Sequence, residues 1–329
     1  MPHASPTPTF TSGLGLAIFA LLLLLIGGCG SEGGSARSQD RDGSPERPLM
    51  VLLVPTESGQ TNLMDDYEPL FSAITRVHGL HFDLRMGSSY SAVVEGMRAG
   101  KVDIAHFGAV TYHQARRAGV AELLAVAVVD GEAIYHAGIF HRADSGMSRI
   151  EDLRDKTVAL GDPNSTSSFN YPVAMMLDAG FDPVQDLRGV LMSGSHSASL
   201  SALQAGHVDA AAASVSAYDK MVREGTLDGT RVVLLVKSDP IPNPPLAMRA
   251  GLGDEVKAEL REVFATIHEQ EGVRPEMILA YGGALADRYD SAIDDEFIAP
   301  ALARLGAVTA ELRRELSDFA NRSRPGRRG

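Results

Sequence analysis

Tryptophan is absent from this 329-residue chain, and cysteine occurs once, at Cys29. One cysteine excludes an intrachain disulfide framework. Aromatic residues make up only 6% of the chain, and basic residues are outnumbered: 30 Lys and Arg against 42 Asp and Glu, a net charge of −12. That excess of acid excludes a nucleic-acid groove and an anionic membrane surface as natural partners. If the ligand is itself an anion, the overall field does not help, and local dipoles must hold it. A G-x-S-x-G nucleophile elbow is missing too. The paired histidines His78/His81, His106/His113 and His136/His141 lack a clear third ligand, and each is read as a surface or strand residue, so no metal and no cofactor is expected.

The apolar run "LGLAIFALLLLLI" (14–26) is too short to span a bilayer comfortably, and it ends in "IGGC". A short apolar core followed by small residues reads as an export signal. The ending resembles the lipobox of bacterial lipoproteins, which implies a lipidated Cys29 as the new N-terminus. The leading "MPHASPTPTFTSG" departs from that pattern in having no Lys or Arg. Residues 1–29 are therefore expected to be a lipoprotein signal peptide. Residues 30–48, rich in Gly, Ser and charge, are expected to form a flexible tether.

From residue 49 onward, strand patterns alternate with helix patterns. "LMVLLV" (49–54) reads as a buried strand. Leu70, Phe71, Ile74 and Val77 fall at helical spacing before Gly79. The alternation continues through "VDIAHFG", "TVALG", "RGVLM" and "VDAAAA", which implies an α/β fold with a parallel sheet. A repeat runs through it at an offset of 106 residues: "SYSAVVEGMRAGKVDIA" (89–105) matches "SHSASLSALQAGHVDAA" (195–211), and "VLLVPTES" falls on "TVALGDPN". Two similar lobes follow from this. The repeat pairs Tyr90 with His196 beside two helix N-termini, and in open parallel sheets ligands sit in that region, at the carboxyl ends of strands.

Between "TVALG" and a helix opening at Pro172 lie Ser165, Thr166, Ser167 and Ser168. A helix N-terminus leaves amide N–H groups unpaired, and small hydroxyls add donors that rotate to fit, so an oxyanion can be held without Lys or Arg. Plain helix capping needs one hydroxyl rather than four, and a low-complexity loop is the other bland reading.

Taken together, "GDPNSTSS", "SGSHSAS", "AGHVDAAAA", "DPIPNPP" and "AGKVDIAHFG" resemble the phosphonate/phosphite-binding solute receptors of bacterial ABC importers, over roughly residues 50–250. The resemblance implies a type II periplasmic-binding fold: two lobes, each a mostly parallel sheet flanked by helices, closing on ligand about a hinge. It places lobe 1 at 49–138 and 241–329 and lobe 2 at 139–240. It implies a small phosphorus oxyanion as ligand, held by Ser165, Thr166 and Ser167 with His196, Tyr90 and Tyr135. Ser168 stands where the family has glycine and would change the turn or add a donor. Pro244 and Ser216 stand where family members that take aminoalkyl ligands carry acids, with Asp219 and Glu57 as the nearest replacements. The implied role is an exported, lipid-anchored, monomeric binding protein that serves a permease. The alternative is a ligand-sensing subunit of a membrane kinase using the same site. A hydrolase built on Ser167, His196 and an acid is a further reading, without the elbow. Mass spectrometry of the mature protein is expected to find a chain that begins at lipidated Cys29, and Cys29→Ser is expected to release the protein; an intact N-terminus would remove the anchor.

Overall fold

The computed structural model describes residues 41–56 and 63–323; the signal peptide, Cys29, most of the tether and Glu57 lie outside the described residues. The first part of the chain runs β1 (Leu49–Leu53), α1 (Leu63–His78), β2 (Phe82–Met86), α2 (Tyr90–Arg98), β3 (Ile104–His106), α3 (Ala109–Arg117) and β4 (Ala121–Val128). It crosses through β5 (Ile134–Tyr135) into β6 (Ala137–Arg142), β7 (Thr157–Leu160), α4 (Tyr171–Asp178), β8 (Gly189–Met192), α5 (His196–Gln204), β9 (Ala210–Ser214), α6 (Val215–Arg223) and β10 (Val232–Lys237). It returns through β11 (Ile241–Pro242) to β12 (Leu246–Arg249), α7 (Asp254–Thr266), β13 (Arg288–Asp290), α8 (Asp295–Ala303) and α9 (Ala310–Ser323).

Two sheets result, ordered β13-β4-β12-β3-β1-β2 and β10-β6-β9-β7-β8. The layout β4-β12-β3-β1-β2 repeats as β10-β6-β9-β7-β8, so the internal repeat of the sequence is a repeat of architecture. One device recurs in both halves. Asp103 N–H donates to the Met50 carbonyl at 2.9 Å, and Met50 N–H returns to the Asp103 carboxylate at 2.9 Å. Asp209 and Thr157 make the same reciprocal pair, both bonds at 2.8 Å. The Asp of each "VDxA" thus pins a central strand to its neighbour.

Most strands of each sheet share one direction, with a reversed strand set inside it. β1 is parallel to β2 and β3, and β7 to β8 and β9, but β6 and β12 run antiparallel to β9 and β3. Both reversed strands follow directly on a crossing made by the antiparallel pair β5–β11. Hydropathy patterns report burial and not direction, so the reversal left no mark in them.

Two boundaries also move. Residues 41–44 pack against the domain rather than tethering: Arg41 pairs with the buried Asp103, and the Gly43 carbonyl accepts from His81 N–H at 2.7 Å. The cause is Asp103, whose carboxylate also takes Arg249 at 3.0 Å and draws in the guanidinium ahead of β1. At the other end, α9 lies along β8 of the second sheet, and Arg313 donates to Asn170 at 3.0 Å. The C-terminal segment is therefore not confined to the first lobe.

A buried ion pair bridges the two halves. Lys220 of α6 reaches Asp66 of α1 at 2.9 and 3.0 Å, with both residues 4% exposed. Burial holds the Asp66 carboxyl above its ordinary value despite the ammonium. Removing one partner leaves a buried charge alone, at a cost of about 3–5 kcal/mol. Lys220→Met is expected to lose that much stability at neutral pH in urea melts. Because a raised carboxyl binds its proton more tightly in the folded state, the deficit against wild type should shrink as pH falls through the folded value of Asp66. A deficit that does not change with pH would show that Asp66 is not the charge left buried and unpaired.

Candidate functional site

The carboxyl ends of β1, β3, β7 and β8 converge on one pocket. Thr56 follows β1, His106 ends β3, Ser165, Thr166 and Ser167 follow β7, and His196 follows β8; all six line it. Tyr90 at the start of α2, Tyr135 of the crossing strand β5, Pro244 just before β12 and Tyr281 add further walls. The pocket holds about 240 Å³ of empty space, part of it open to solvent. Six of the seven ligand-site residues expected from sequence meet here.

The hydroxyl cradle begins a π turn, Thr166–Asn170, that runs directly into α4. Asn170 N–H reaches back to the Ser165 carbonyl at 3.1 Å, and the Asn170 side chain takes the same oxygen at 2.7 Å. This wider turn is a frequent feature of functional sites. The Tyr90 and Tyr135 phenols stand in the same pocket wall as the cradle hydroxyls. Val110 N–H, at the start of α3, donates to Thr166 Oγ1 at 3.0 Å. Burial pushes both phenols well above their ordinary value, so they stay protonated and able to donate. Gly108 permits the Thr166 contact, because a Cβ there would lie 2.8 Å from Thr166 Oγ1.

Ser168 is the expected residue that does not reach the pocket. It is fully buried, and its hydroxyl donates to Ser165 Oγ at 2.7 Å, while its N–H bonds the same atom at 3.2 Å. It braces Ser165 from behind. The side chain fits only because it lies over Gly161, where a Cβ would stand 2.0 Å from Ser168 Oγ.

Tyr90 and His196 are the first residues of α2 and α5, capped by Ser89 and Ser195. His196 Nδ1 accepts the Ser214 N–H at 2.9 Å. That fixes the neutral tautomer with its proton on Nε2, and burial pulls the imidazole down to about 3. His196 is therefore a neutral donor. Its Nδ1 faces a backbone amide and not a carboxylate, so the Ser167–His196–acid arrangement of a hydrolase is not assembled.

Three lining residues escaped sequence reasoning: Thr56, His106 and Tyr281. Thr56 and His106 are 4% and 1% exposed, and neither the Thr56 hydroxyl nor either nitrogen of His106 has a partner among the described residues. Tyr281 stands between rings, 5.8 Å from His106, 6.0 Å from His196 and 6.1 Å from Tyr135, and its hydroxyl meets Ser214 Oγ at 3.1 Å. The repeat carried a partial signal for Thr56, since "VPTES" falls on the strand end that precedes the cradle.

Among the described residues that line the pocket, none carries a formal charge. Pro244 is part of the pocket wall. Ser216 lies outside the lining, with its backbone against Gly282, and Asp219 is exposed on α6. The walls thus offer hydroxyl, phenol and imidazole donors to a small, oxygen-rich, negatively charged ligand.

The family described as the phosphonate periplasmic substrate-binding protein of ABC transporters matches residues 51–295. The chain belongs to that family. It is 29% identical over 257 residues to the phosphate-import protein PhnD of Mycolicibacterium smegmatis, covering 75% of this chain and 79% of that protein. Two solved structures share the fold. The binding component of a phosphonate ABC transporter from Pseudomonas aeruginosa has a TM-score of 0.69 at 23% identity, over 84% of this chain and 97% of that one. PhnD1 of Prochlorococcus marinus in complex with methylphosphonate has a TM-score of 0.65 at 18% identity, over 82% and 98%. Among solute receptors of this family, a cradle is tested by removing its donors. Ser167→Ala is expected to leave the fold intact and to weaken oxyanion binding by about ten- to a hundred-fold, the worth of one hydrogen bond to a charged group. Calorimetry that finds an unchanged affinity would take the hydroxyl run out of the site.

Proposed function

We propose that this chain is the extracytoplasmic binding component of an ABC importer and captures a small phosphorus oxyanion: phosphonate, phosphite or phosphate. The observation that carries this reading is a buried pocket whose described walls hold donors and no formal charge. Ser165, Thr166 and Ser167 cradle the phosphorus-bound oxygens, with Tyr90, Tyr135 and His196 as opposing donors. Family membership supports the importer role, and the phosphate-import relative supports an inorganic or compact ligand. In this reading the protein is exported, is anchored in the membrane through lipidated Cys29, acts as a monomer, and delivers its ligand to a permease. The lobes, 49–138 with much of 241–329 against 139–240, close about the β5–β11 crossing.

Ligand choice follows from what the walls omit. An ammonium group buried beside Pro244 would find no acid, at a cost of several kcal/mol. A thermal-shift screen is expected to show stabilisation by phosphate, phosphite or methylphosphonate, worth about 2.7 kcal/mol at a hundred times the dissociation constant. Aminoethylphosphonate is expected to have little effect. Tighter binding of aminoethylphosphonate than of methylphosphonate would overturn this choice, and silence from all four would overturn the oxyanion reading.

A further inference from the structure

Two histidines face the same pocket, and they differ in one respect. His196 has Nδ1 occupied by Ser214 N–H, so a second ring proton would set N–H against N–H. His106 has neither nitrogen paired, although it is 1% exposed. A buried polar group without a partner is costly, by about 1–3 kcal/mol for each lost bond. Such a group persists in a binding wall when a ligand completes it. The ring is also held in place: His106 is the last residue of β3, registered between Leu53 of β1 and Leu246 of β12, with Tyr67 at 5.1 Å and Tyr281 at 5.8 Å.

We propose that His106 is a ligand-reading residue of this site, and that it carries the proton that a carboxylate would otherwise manage. The inference rests on the oxyanion reading above. A neutral imidazole has one N–H and one bare nitrogen. A singly ionised oxyanion donates its P–OH proton in a hydrogen bond to the bare nitrogen. A doubly ionised one has no proton to give, and the ring then takes one proton from solvent and donates it to the oxygen. In either case the complex holds one proton between ring nitrogen and ligand oxygen. A carboxylate in the same place accepts from the first form and repels the second, so His106 admits both.

The surroundings leave that proton to His106. Burial alone draws its imidazole down to about 3 in the empty pocket, so it starts neutral. The facing phenols of Tyr67, Tyr90 and Tyr135 are pushed above their ordinary value by burial and stay protonated. The Tyr281 phenol lies against Ser214. Asp66, next to Tyr67 on α1, is paired with Lys220 at 2.9 Å, and Asp162, whose charge acts on Tyr90, accepts from Asn164 N–H at 2.8 Å. On the strands flanking His106, Arg249 of β12 is held at the far end by Asp103.

Proton counting tests this on the wild-type protein. Inorganic phosphate and methylphosphonate are titrated by calorimetry in buffers of different ionisation enthalpy, well above the second ionisation of each probe. About one proton is expected to be taken up per ligand, with affinity falling about tenfold for each further pH unit. His106→Phe is expected to abolish the uptake and flatten the pH dependence. Ser167→Ala is expected to weaken binding and keep the uptake. If His106→Phe does not fold, ¹⁵N shifts of the His106 ring in the wild type, with and without phosphate, replace it, and a protonated or strongly hydrogen-bonded ring is the expected result. Binding without proton uptake, uptake that survives His106→Phe, or an unmoved ring overturns this inference and leaves the oxyanion reading standing. Failure of both probes to bind overturns the reading and the inference together.

Discussion

An anion taken out of water without a counter-cation has to be met by dipoles already in position. Loose donors would be paid for in ordering entropy, and unpaired ones in desolvation. Most of the structure around the pocket serves that demand. Ser165 is held by Ser168, and Thr166 by Val110 N–H. His196 is locked in one tautomer by Ser214 N–H. These donors come from both sheets and from the crossing strand, so a complete site exists only when the halves are together. Bonds already join the halves around the pocket, among them His196 N–H to the Thr56 carbonyl at 2.9 Å, Val110 N–H to Thr166 Oγ1, and the Tyr281 and Ser214 hydroxyls.

Neutrality of the walls has a further consequence. A lysine or arginine would bind the anion more strongly, but it would need a counter-charge of its own in the empty protein. Hydroxyls can bond one another without a counter-charge, as Ser168 and Ser165 do. The Thr56 hydroxyl and both His106 nitrogens have no partner among the described residues. The charges present nearby are kept apart from the pocket: Asp66 is spent on Lys220, and Asp103 on Arg41 and Arg249. The chain's acidic excess therefore does not reach the pocket walls as a formal charge.

Much of this was legible in the sequence. Four consecutive hydroxyls between a strand and a proline-led helix exceed what capping requires, and three of them line the pocket. The repeat singled out Tyr90 and His196 through equivalence alone, because duplicated strand–helix units aim equivalent helix starts at one cleft. The rest was hidden for identifiable reasons. His106 sits in "VDIAH", where strand burial explains a histidine as well as ligand contact does; only three-dimensional pairing separates the two. Tyr281 comes from a loop with no partner in the repeat. The reversed strands β6 and β12 are set by the crossing, which hydropathy does not encode. Residues 41–44 look like a linker in composition, and they order because Asp103 needs Arg41.

Ser168 shows how one departure from a family pattern is accommodated. Glycine at that place would leave Ser165 Oγ without its donor at 2.7 Å and would leave a void against Gly161. Serine fills the void and adds a hydrogen bond, but only where residue 161 has no side chain, since a Cβ there would stand 2.0 Å from the hydroxyl. Positions 161 and 168 therefore form a single steric unit, also joined by Gly161 N–H to the Ser168 carbonyl at 2.9 Å. The change of residue does not bring a fourth hydroxyl to the pocket. It stiffens Ser165, and in the proposed reading a stiffer donor loses less entropy when the oxyanion arrives.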